Sequence, residues 1–201
     1  LMKDLKICGE ITLPVHHCLI SKSKELKKIT SIYAHGQSLA QCHDWIANNL
    51  PNAEKISVLS NAEGAKIASK EKHSAAIASS RAANLFKLNI LQNHIEDEPN
   101  NTTRFLILSD QEIAPSGNDK TSIVVATKNK PGAIVDLIQP FASRKVSLTK
   151  LESRPSKIGM WEYVFFIDVE GHRDNSKVKL CLKDIEKKSS FMKFLGSYPK
   201  N

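Results

Sequence analysis

Two hydroxyl groups and a cation lie together at the start of an apolar stretch. The segment "NNTTRFLIL", from Asn100 to Leu108, places Thr102, Thr103 and Arg104 directly before residues that predict a fully buried strand. A guanidinium can hold a carboxylate through two parallel hydrogen bonds, and a threonine hydroxyl can donate a further one. The segment is therefore a candidate anion-binding site, although the pattern alone favours a strand that begins with a solvent-facing arginine.

The elements that must position this segment alternate between strands and short helices. From 35 to 50 the apolar residues recur at steps of three and four, which predicts a helix that Pro51 ends. Such alternation predicts an α/β layer with a largely parallel sheet. The predicted strands are 5–21, 30–34, 55–60, 74–79 and 103–108, and the other predicted helices are 61–70 and 80–88.

The second part of the chain has a different order of elements. Pro, Ser, Gly, Asn and Asp gather without periodicity between Ser109 and Lys120, which predicts a linker. The βαββαβ order that follows is that of a ferredoxin-like sandwich. Pro140 lies inside the first helix and is expected to kink it or end it early. The elements are strand 121–128, helix 132–144, strands 147–155 and 162–171, helix 176–189 and strand 191–199.

Composition limits the class of partner. The formal charge of +8 comes mainly from residues 119–201, where 16 Lys and Arg oppose 9 Asp and Glu, against 13 and 12 in residues 1–118. Acids are interspersed and aromatic residues are few there, which is typical of a solvated surface and disfavours nucleic-acid binding. No apolar run approaches the roughly 18 residues that cross a bilayer. We expect a soluble intracellular protein, in the cytoplasm or in a plastid, without a membrane partner.

The cysteines and histidines give little indication of a metal site. Cys8, Cys18, Cys42 and Cys181 are scattered without a CxxC pair, so buried free thiols are expected. His16, His17 and Cys18 are consecutive, and neighbours on a strand point to opposite faces. Those three side chains are therefore not expected to converge on one ion.

Seven segments resemble, in the same order, those of prephenate dehydratases that carry a C-terminal ACT regulatory domain. They are "GEITLPVHHCLI", "YAHGQSLAQC", "AAIASSRAANLF", "TTRFLIL", "PGAIVDLI", "LESRP" and "FLGSYP". Seven ordered blocks are much harder to produce by chance than one motif. The resemblance implies a periplasmic-binding-protein-like α/β lobe, the C-terminal portion of the catalytic domain, at 1–112, a linker at 113–119, and a ferredoxin-like ACT domain at 120–201.

The resemblance implies conversion of prephenate to phenylpyruvate, in which carbon dioxide and the ring hydroxyl leave together. Because aromatisation drives the reaction, no metal and no cofactor is expected. Thr103 would donate a hydrogen bond to the departing hydroxyl, and Arg104 would hold a carboxylate of the substrate. His35, Gln41 and Thr102 are the implied substrate-binding residues.

These roles compete with simpler interpretations. By pattern alone, His35 is a helix cap and Gln41 is an ordinary polar helix residue. Phe105 is by pattern a core residue, whereas the resemblance places it close to the route by which inhibition reaches the catalytic site.

A second site is implied in the ACT domain, where phenylalanine would bind between two copies of the chain and inhibit the enzyme. By pattern alone, Pro131-Gly132 is a turn and Arg154 is a surface charge. A homodimer or homotetramer through ACT domains is expected. The implied binding residues are Asn129, Gly132, Ala133, Ile134 and Val135 on one side and Glu152, Ser153, Arg154 and Pro155 on the other.

The chain also departs from the family pattern. Family members carry an upstream segment with a Gly-Thr-Phe block and a Glu-Asn-Ser/Thr block, and we expect this chain to lack that part of the active site. Ala34 and Gly36 stand where a serine and a proline are usual. A second hypothesis is therefore a truncated, catalytically inactive protein whose ACT sensor is the only working site.

Overall fold

The computed structural model describes residues 5–127, 130–155 and 163–201. The chain forms two compact units. One comprises Leu13–Thr103, and the other combines the chain up to Thr12 with Arg104–Asn201. Among the described residues, no helix is long and apolar enough to cross a membrane.

The unit Leu13–Thr103 is built on one five-stranded sheet. Its elements are β2 (Cys18–Ser21), β3 (Ser31–Ala34), α1 (Gly36–Gln41), α2 (His43–Asn49), β4 (Glu54–Ser57), α3 (Asn61–Ala68), β5 (Ser74–Ala78), α4 (Ser80–Phe86) and β6 (Asn89–Gln92). The strand order is β4-β3-β5-β2-β6. β3 runs parallel to β4 and β5, whereas β2 is antiparallel to β5 and β6. The sheet is therefore mixed, because β2 enters it against the direction of β5.

The central strands of this sheet are buried on both faces. Leu19 and Ile77 pack with Ile46 on one side, and their neighbours Ile20 and Ala76 pack into a second cluster on the other. Successive side chains on a strand point to opposite faces, so an uninterrupted apolar run fills both layers.

Two details of this unit differ from the sequence prediction. The helix predicted over 35–50 is divided into α1 and α2 at Cys42, whose φ of −121° and ψ of 21° leave the helical region. The sulfur-bearing side chain stays fully buried there, so the apolar periodicity continues across the break. β6 was not predicted, because its alternation spans only four residues.

The second unit contains a four-stranded antiparallel sheet with two helices. The elements are β8 (Asp119–Ala126), α5 (Ala133–Ser143), β9 (Leu148–Pro155), β10 (Tyr163–Glu170), α6 (Ser176–Lys188) and β11 (Phe191–Pro199). The strand order β11-β8-β10-β9 confirms the ferredoxin-like prediction. Leu137, Phe141 and Ile185 of the helices pack against the sheet. Pro140 does not end α5, which continues to Ser143.

A separate two-stranded sheet pairs β1 (Lys6–Pro14) with β7 (Thr102–Ser109). The predicted single strand over 5–21 is thus wrong, because its two halves pair in different sheets. The prediction that β7 is fully buried is also wrong, since Phe105 is 52% and Leu108 57% exposed. An apolar run shows that a strand can be buried, but other elements must cover it, and the described residues contribute two strands to this sheet.

Candidate functional site

The two predicted threonines lie at an exposed position. Thr102 and Thr103 begin β7, and both side chains are exposed. The amide N–H of Val15 donates to the carbonyl of Asn101 at 2.8 Å, which fixes the chain just ahead of them. Asn100 and Asn101 line a cleft of about 530 Å³. The two hydroxyls therefore follow directly on residues that line a cleft.

Gln41, predicted to bind substrate, lines the same cleft. Its Oε1 accepts a hydrogen bond from Nε2 of the buried His17 at 3.0 Å, which orients the amide. The backbone carbonyl of Gln41 also accepts a hydrogen bond, at 2.8 Å, from the amide of Asp97, which lines the same cleft. The structure thus brings Gln41 and the segment leading into Thr102 together at one cleft.

The described lining of this cleft is acidic. It includes Glu96, Asp97 and Glu98, and none of the described lining residues is a lysine or an arginine. The two carboxylate oxygens of Asp97 accept from the amides of Asp44 and Trp45 at 3.1 Å each. Those amides lie at the start of α2, so the charge of Asp97 is compensated by the helix.

Glu96 is the most strongly compensated carboxylate of this cleft. Its side chain is 2% exposed. Desolvation by burial opposes its ionisation, but hydrogen bonds from the His16 side chain and the His17 amide, with a smaller one from His94, lower its pKa to about 2. Glu96 is therefore a fixed negative charge at neutral pH.

His35 lies elsewhere. It lines a different depression, of about 570 Å³, with Ser57, Val58 and Glu63 among its neighbours. His35 caps α1, since its Nδ1 accepts from the amide of Gln37 at 3.3 Å. The helix cap expected from the pattern is present, and His35 and Gln41 line separate depressions.

Each of the three guanidinium nitrogens of Arg104 donates a hydrogen bond. Nε donates to Glu10 at 2.6 Å, Nη1 to Asp168 at 2.5 Å and Nη2 to the hydroxyl of Tyr198 at 2.5 Å. The Glu10 and Asp168 side chains are 1% and 8% exposed. Binding a substrate carboxylate would require Arg104 to exchange at least one of these buried partners.

This ion cluster extends further into the four-stranded antiparallel sheet. Lys120 donates to the second oxygen of Glu10 at 2.7 Å, and the hydroxyl of Ser122 donates to Asp168 at 2.5 Å. We call these four residues, with Arg104 and Tyr198, the Arg104 cluster. Its members come from β1, β7, β8, β10 and β11, so the cluster joins Arg104 of β7 to the four-stranded sheet.

The cluster shifts the pKa of its members. Desolvation alone would lower the pKa of Arg104, but the hydrogen bond to Asp168 and the surrounding negative charges raise it. Desolvation raises the pKa of Tyr198 to about 12. Burial also opposes ionisation of Glu10, but Lys120, with the backbone amide of Asn201 and the charge of Arg104, lowers its pKa. The folded protein therefore holds Glu10 ionised and Arg104 protonated.

Phe105 is not a core residue in this structure. Its side chain is 52% exposed on β7, next to the anchored Arg104. The interpretation from pattern alone is therefore wrong for Phe105.

Four residues of the predicted phenylalanine site line one cavity. Gly132, Ala133, Ile134 and Val135 border a cavity of about 380 Å³ whose floor includes Phe165. Gly132 has φ 79°, which favours glycine, and an added Cβ would meet no atom within 4 Å. Space for a ligand is thus open beside the start of α5. Asn129 lies outside the described residues.

The other half of the predicted phenylalanine site lies on β9. Glu152, Ser153, Arg154 and Pro155 pair with Phe166 to Tyr163 of β10, at one edge of the four-stranded sheet. They are not among the described residues that line the Gly132 cavity. Hydrogen bonds from Lys150 and Arg154 lower the pKa of the partly exposed Glu152 to about 2. In the described part of one chain, the two halves of the predicted site therefore line no common cavity.

The fold and these residues define a protein in which an α/β lobe precedes an ACT domain. Residues 1–113 match the family model of prephenate dehydratase, and residues 121–187 match that of the ACT domain. The chain belongs to the prephenate dehydratase family.

Known relatives agree with this assignment. A bifunctional chorismate mutase/prephenate dehydratase from Stutzerimonas stutzeri is 48% identical over 198 residues, which cover 98% of this chain and 54% of the relative. A prephenate dehydratase from Methanocaldococcus jannaschii is 37% identical, and the match covers 98% of this chain and 72% of that protein. The chain therefore spans about half the length of the bifunctional relatives.

A solved structure shares both the fold and the sequence. The prephenate dehydratase from Arthrobacter aurescens in complex with L-Phe superposes with a TM-score of 0.84 at 34% identity. The match covers 100% of this chain and 68% of that chain. The fold of this chain is thus shared with a solved prephenate dehydratase.

Sequence reasoning missed the partners of Arg104. Glu10, Asp168 and Tyr198 lie 94, 64 and 94 residues from Arg104 along the chain, so no local spacing connects them. A hint was available, because Glu10 and Asp168 are acids inside otherwise apolar strands. A buried charge of this kind needs a partner.

Proposed function

We propose that this chain supplies the threonine-bearing part of a prephenate dehydratase active site together with a phenylalanine-responsive ACT domain. The observation that carries the proposal is an exposed Thr103 beside the Gln41 cleft in a chain of this family. Thr102 and Gln41 are proposed to contact the substrate. His35, in its separate depression, is proposed to act on substrate only indirectly, through the position of α1.

The reaction requires the protein to orient the substrate and to provide one hydrogen-bond donor. The bond between the ring and its carboxylate breaks, its electron pair enters the ring, and the bond to the ring hydroxyl breaks in turn. The products are phenylpyruvate, carbon dioxide and hydroxide, which takes a proton to become water. A hydrogen bond from the Thr103 hydroxyl would stabilise the charge that develops on the departing oxygen.

Arg104 is better suited to position Thr103 than to bind the substrate. Its three partners are buried, and releasing Asp168 would leave that carboxylate without the cation that pairs with it, while releasing Glu10 would leave Glu10 with Lys120 alone. We infer that Arg104 anchors β7 one residue after Thr103 and so fixes the direction of the Thr103 hydroxyl. The clamp predicted from the sequence would instead require exchange of these partners.

The relatives support an enzyme over an inactive sensor, since their names describe dehydratases at 37 to 48% identity across this chain. The direct test is the formation of phenylpyruvate from prephenate by the whole protein, including any residues upstream of Leu1. Thr103→Ala should reduce kcat by about 10²–10³-fold, as for loss of one donor to a developing oxyanion.

The matched control is Thr30→Ala. Thr30 is also exposed, and its hydroxyl donates to the carbonyl of His73 away from the Gln41 cleft. This variant should keep full turnover. A whole protein without turnover would support the sensor hypothesis, and full activity of Thr103→Ala would refute the role of Thr103.

The cavity at Gly132 supports phenylalanine as effector. Its lining is largely apolar, with Ile134, Val135 and Phe165 facing a space of about 380 Å³. An aromatic side chain is complementary to such a lining. Inhibition further requires that phenylalanine bind one of two states of the assembly more tightly.

Calorimetry with L-phenylalanine tests this site. Val135→Glu would place a carboxylate among the apolar lining and should abolish the heat of binding. Leu180→Glu on α6 is the control, because Leu180 is similarly exposed, at 51% against 59%, and does not line the cavity. Equal binding by both variants would refute the assignment.

A homodimer or homotetramer through ACT domains would bring the two halves of the predicted site together. The support is the position of Glu152 to Pro155 on β9, at the edge of the sheet, where backbone groups are available for another chain. Sedimentation of the whole protein with and without phenylalanine should show at least a dimer. A monomer under both conditions would refute this assembly.

A further inference from the structure

Three side chains outside the proposed catalytic residues converge on one point. His16 Nδ1 lies 2.8 Å from Glu96 Oε1 and 3.1 Å from His94 Nδ1, and His94 Nδ1 lies 3.4 Å from Glu96 Oε1. All three residues belong to the unit Leu13–Thr103. Among the described residues, this is the group of His, Cys, Asp and Glu whose ligand atoms approach closely enough to share one ion.

Hydrogen bonds connect these three atoms less fully than a metal ion would. An imidazole Nδ1 carries either a hydrogen or a lone pair in its ring plane. A single hydrogen on His16 Nδ1 would have to be shared between Glu96 Oε1 at 2.8 Å and the lone pair of His94 Nδ1 at 3.1 Å. A cation at the centre would accept a lone pair from all three atoms.

The spacing also fits a tetrahedral ion. Ligand atoms about 2.0–2.1 Å from a tetrahedral zinc ion lie about 3.3 Å from each other. The three observed separations of 2.8, 3.1 and 3.4 Å lie around that ligand-to-ligand distance. Small side-chain movements would therefore place the three atoms around an ion. Two imidazole nitrogens and one carboxylate oxygen form a ligand set typical of zinc and neighbouring transition metals, not of magnesium or calcium.

The site is held in place and open on one side. The amide of His17 donates to Glu96 Oε2 at 2.8 Å, and the amide of Ile95 donates to the carbonyl of His17 at 3.0 Å. These bonds fix the carboxylate, as outer-shell partners do in metal sites. The side chains of His16 and His94 are 45% and 65% exposed, so an ion has access and a solvent molecule can take the fourth position.

We propose that His16, His94 and Glu96 form a binding site for a divalent transition metal of the zinc class. The site is independent of the chemistry proposed for Thr103. Glu96 also lines the Gln41 cleft, so a bound ion would add positive charge beside a lining that is otherwise acidic.

The test is a calorimetric titration of the whole protein, first stripped with a chelator, with zinc chloride in the presence of a thiol-blocking reagent. The reagent removes competition from the partly exposed Cys8. Wild type should bind one zinc ion per chain at this site, and His94→Ala should raise the Kd at least tenfold. His94→Ala removes an exposed side chain, and circular dichroism shows whether the variant keeps its fold.

His73→Ala is the matched control, since His73 is also an exposed histidine of this unit and does not belong to the group of His16, His94 and Glu96. It should bind zinc as wild type does. A second readout is thermal unfolding, in which zinc should raise the Tm of wild type and of His73→Ala but not of His94→Ala. No zinc binding by wild type, or equal binding by His94→Ala, would overturn the proposal.

Discussion

Replacing Arg104 by methionine tests whether the Arg104 cluster is as strong as its geometry indicates. Removing one member of a buried ion pair costs about 3–5 kcal/mol, because the remaining charge stays buried. Arg104 itself is 26% exposed, Glu10 keeps Lys120 at 2.7 Å, and Asp168 keeps the hydroxyl of Ser122. We therefore expect the lower end, a loss of about 3 kcal/mol, which lowers the Tm by about 6–12 °C in a chain of this size.

The assay is urea unfolding of wild type, Arg104→Met and a control, Arg144→Met. Arg144 pairs with Asp184, and these side chains are 28% and 37% exposed. A partly solvated pair contributes under about 1 kcal/mol. The effect of Arg104→Met should appear in the transition of the unit that contains the ACT sheet. If Arg104→Met costs no more than Arg144→Met, the cluster is weak, and Arg104 becomes available to bind substrate.

Two further predictions concern packing and pH. Gly64→Ala should lower the free energy of unfolding by about 1–3 kcal/mol, because the new Cβ would lie 2.6 Å from the carbonyl oxygen of Tyr33. The control Gly36→Ala should have little effect, because its Cβ would lie 3.4 Å from the nearest atom. Equal urea midpoints for the two variants would contradict this prediction. The lowered pKa of Glu10 means that its contribution to stability is present above the ordinary carboxyl pKa of about 4.3 and is lost as pH falls through the folded-state pKa. Wild type should therefore lose more stability on acidification than Glu10→Gln, and parallel stability curves would count against the ion cluster.

Much of the fold follows from local patterns in the sequence. The ACT sheet was predictable because its strands and helices are long and alternate in an order with few topologies. The break of the helix at Cys42 was not predictable, since the apolar residues before and after it keep the spacing of one continuous helix. The pairing of β1 with β7 was also missed, because register between distant strands depends on the tertiary fold and not on the residues of one strand.

The same difference between local patterns and contacts of distant segments holds for the candidate site. Thr103 and Gln41 were predicted from the family's motifs, and Gly132 from its place at a helix start, and these roles stay predictions. The partners of Arg104 and the ligand atoms around Glu96 come from distant segments, so the sequence contained the residues without their proximity. His16 illustrates this, since the residues that share its ligand geometry are His94 and Glu96, and not its neighbours along the chain.

The most direct test of the account is the turnover number of Thr103→Val and Thr103→Ser in the whole protein. Valine keeps the shape of threonine and removes the hydroxyl, and serine keeps the hydroxyl. Thr103→Val should lose about 10²–10³-fold in kcat with little change in KM, while Thr103→Ser should stay within about tenfold of wild type. A Thr103→Val enzyme that turns over prephenate as fast as wild type would contradict the central claim that this hydroxyl meets the departing group.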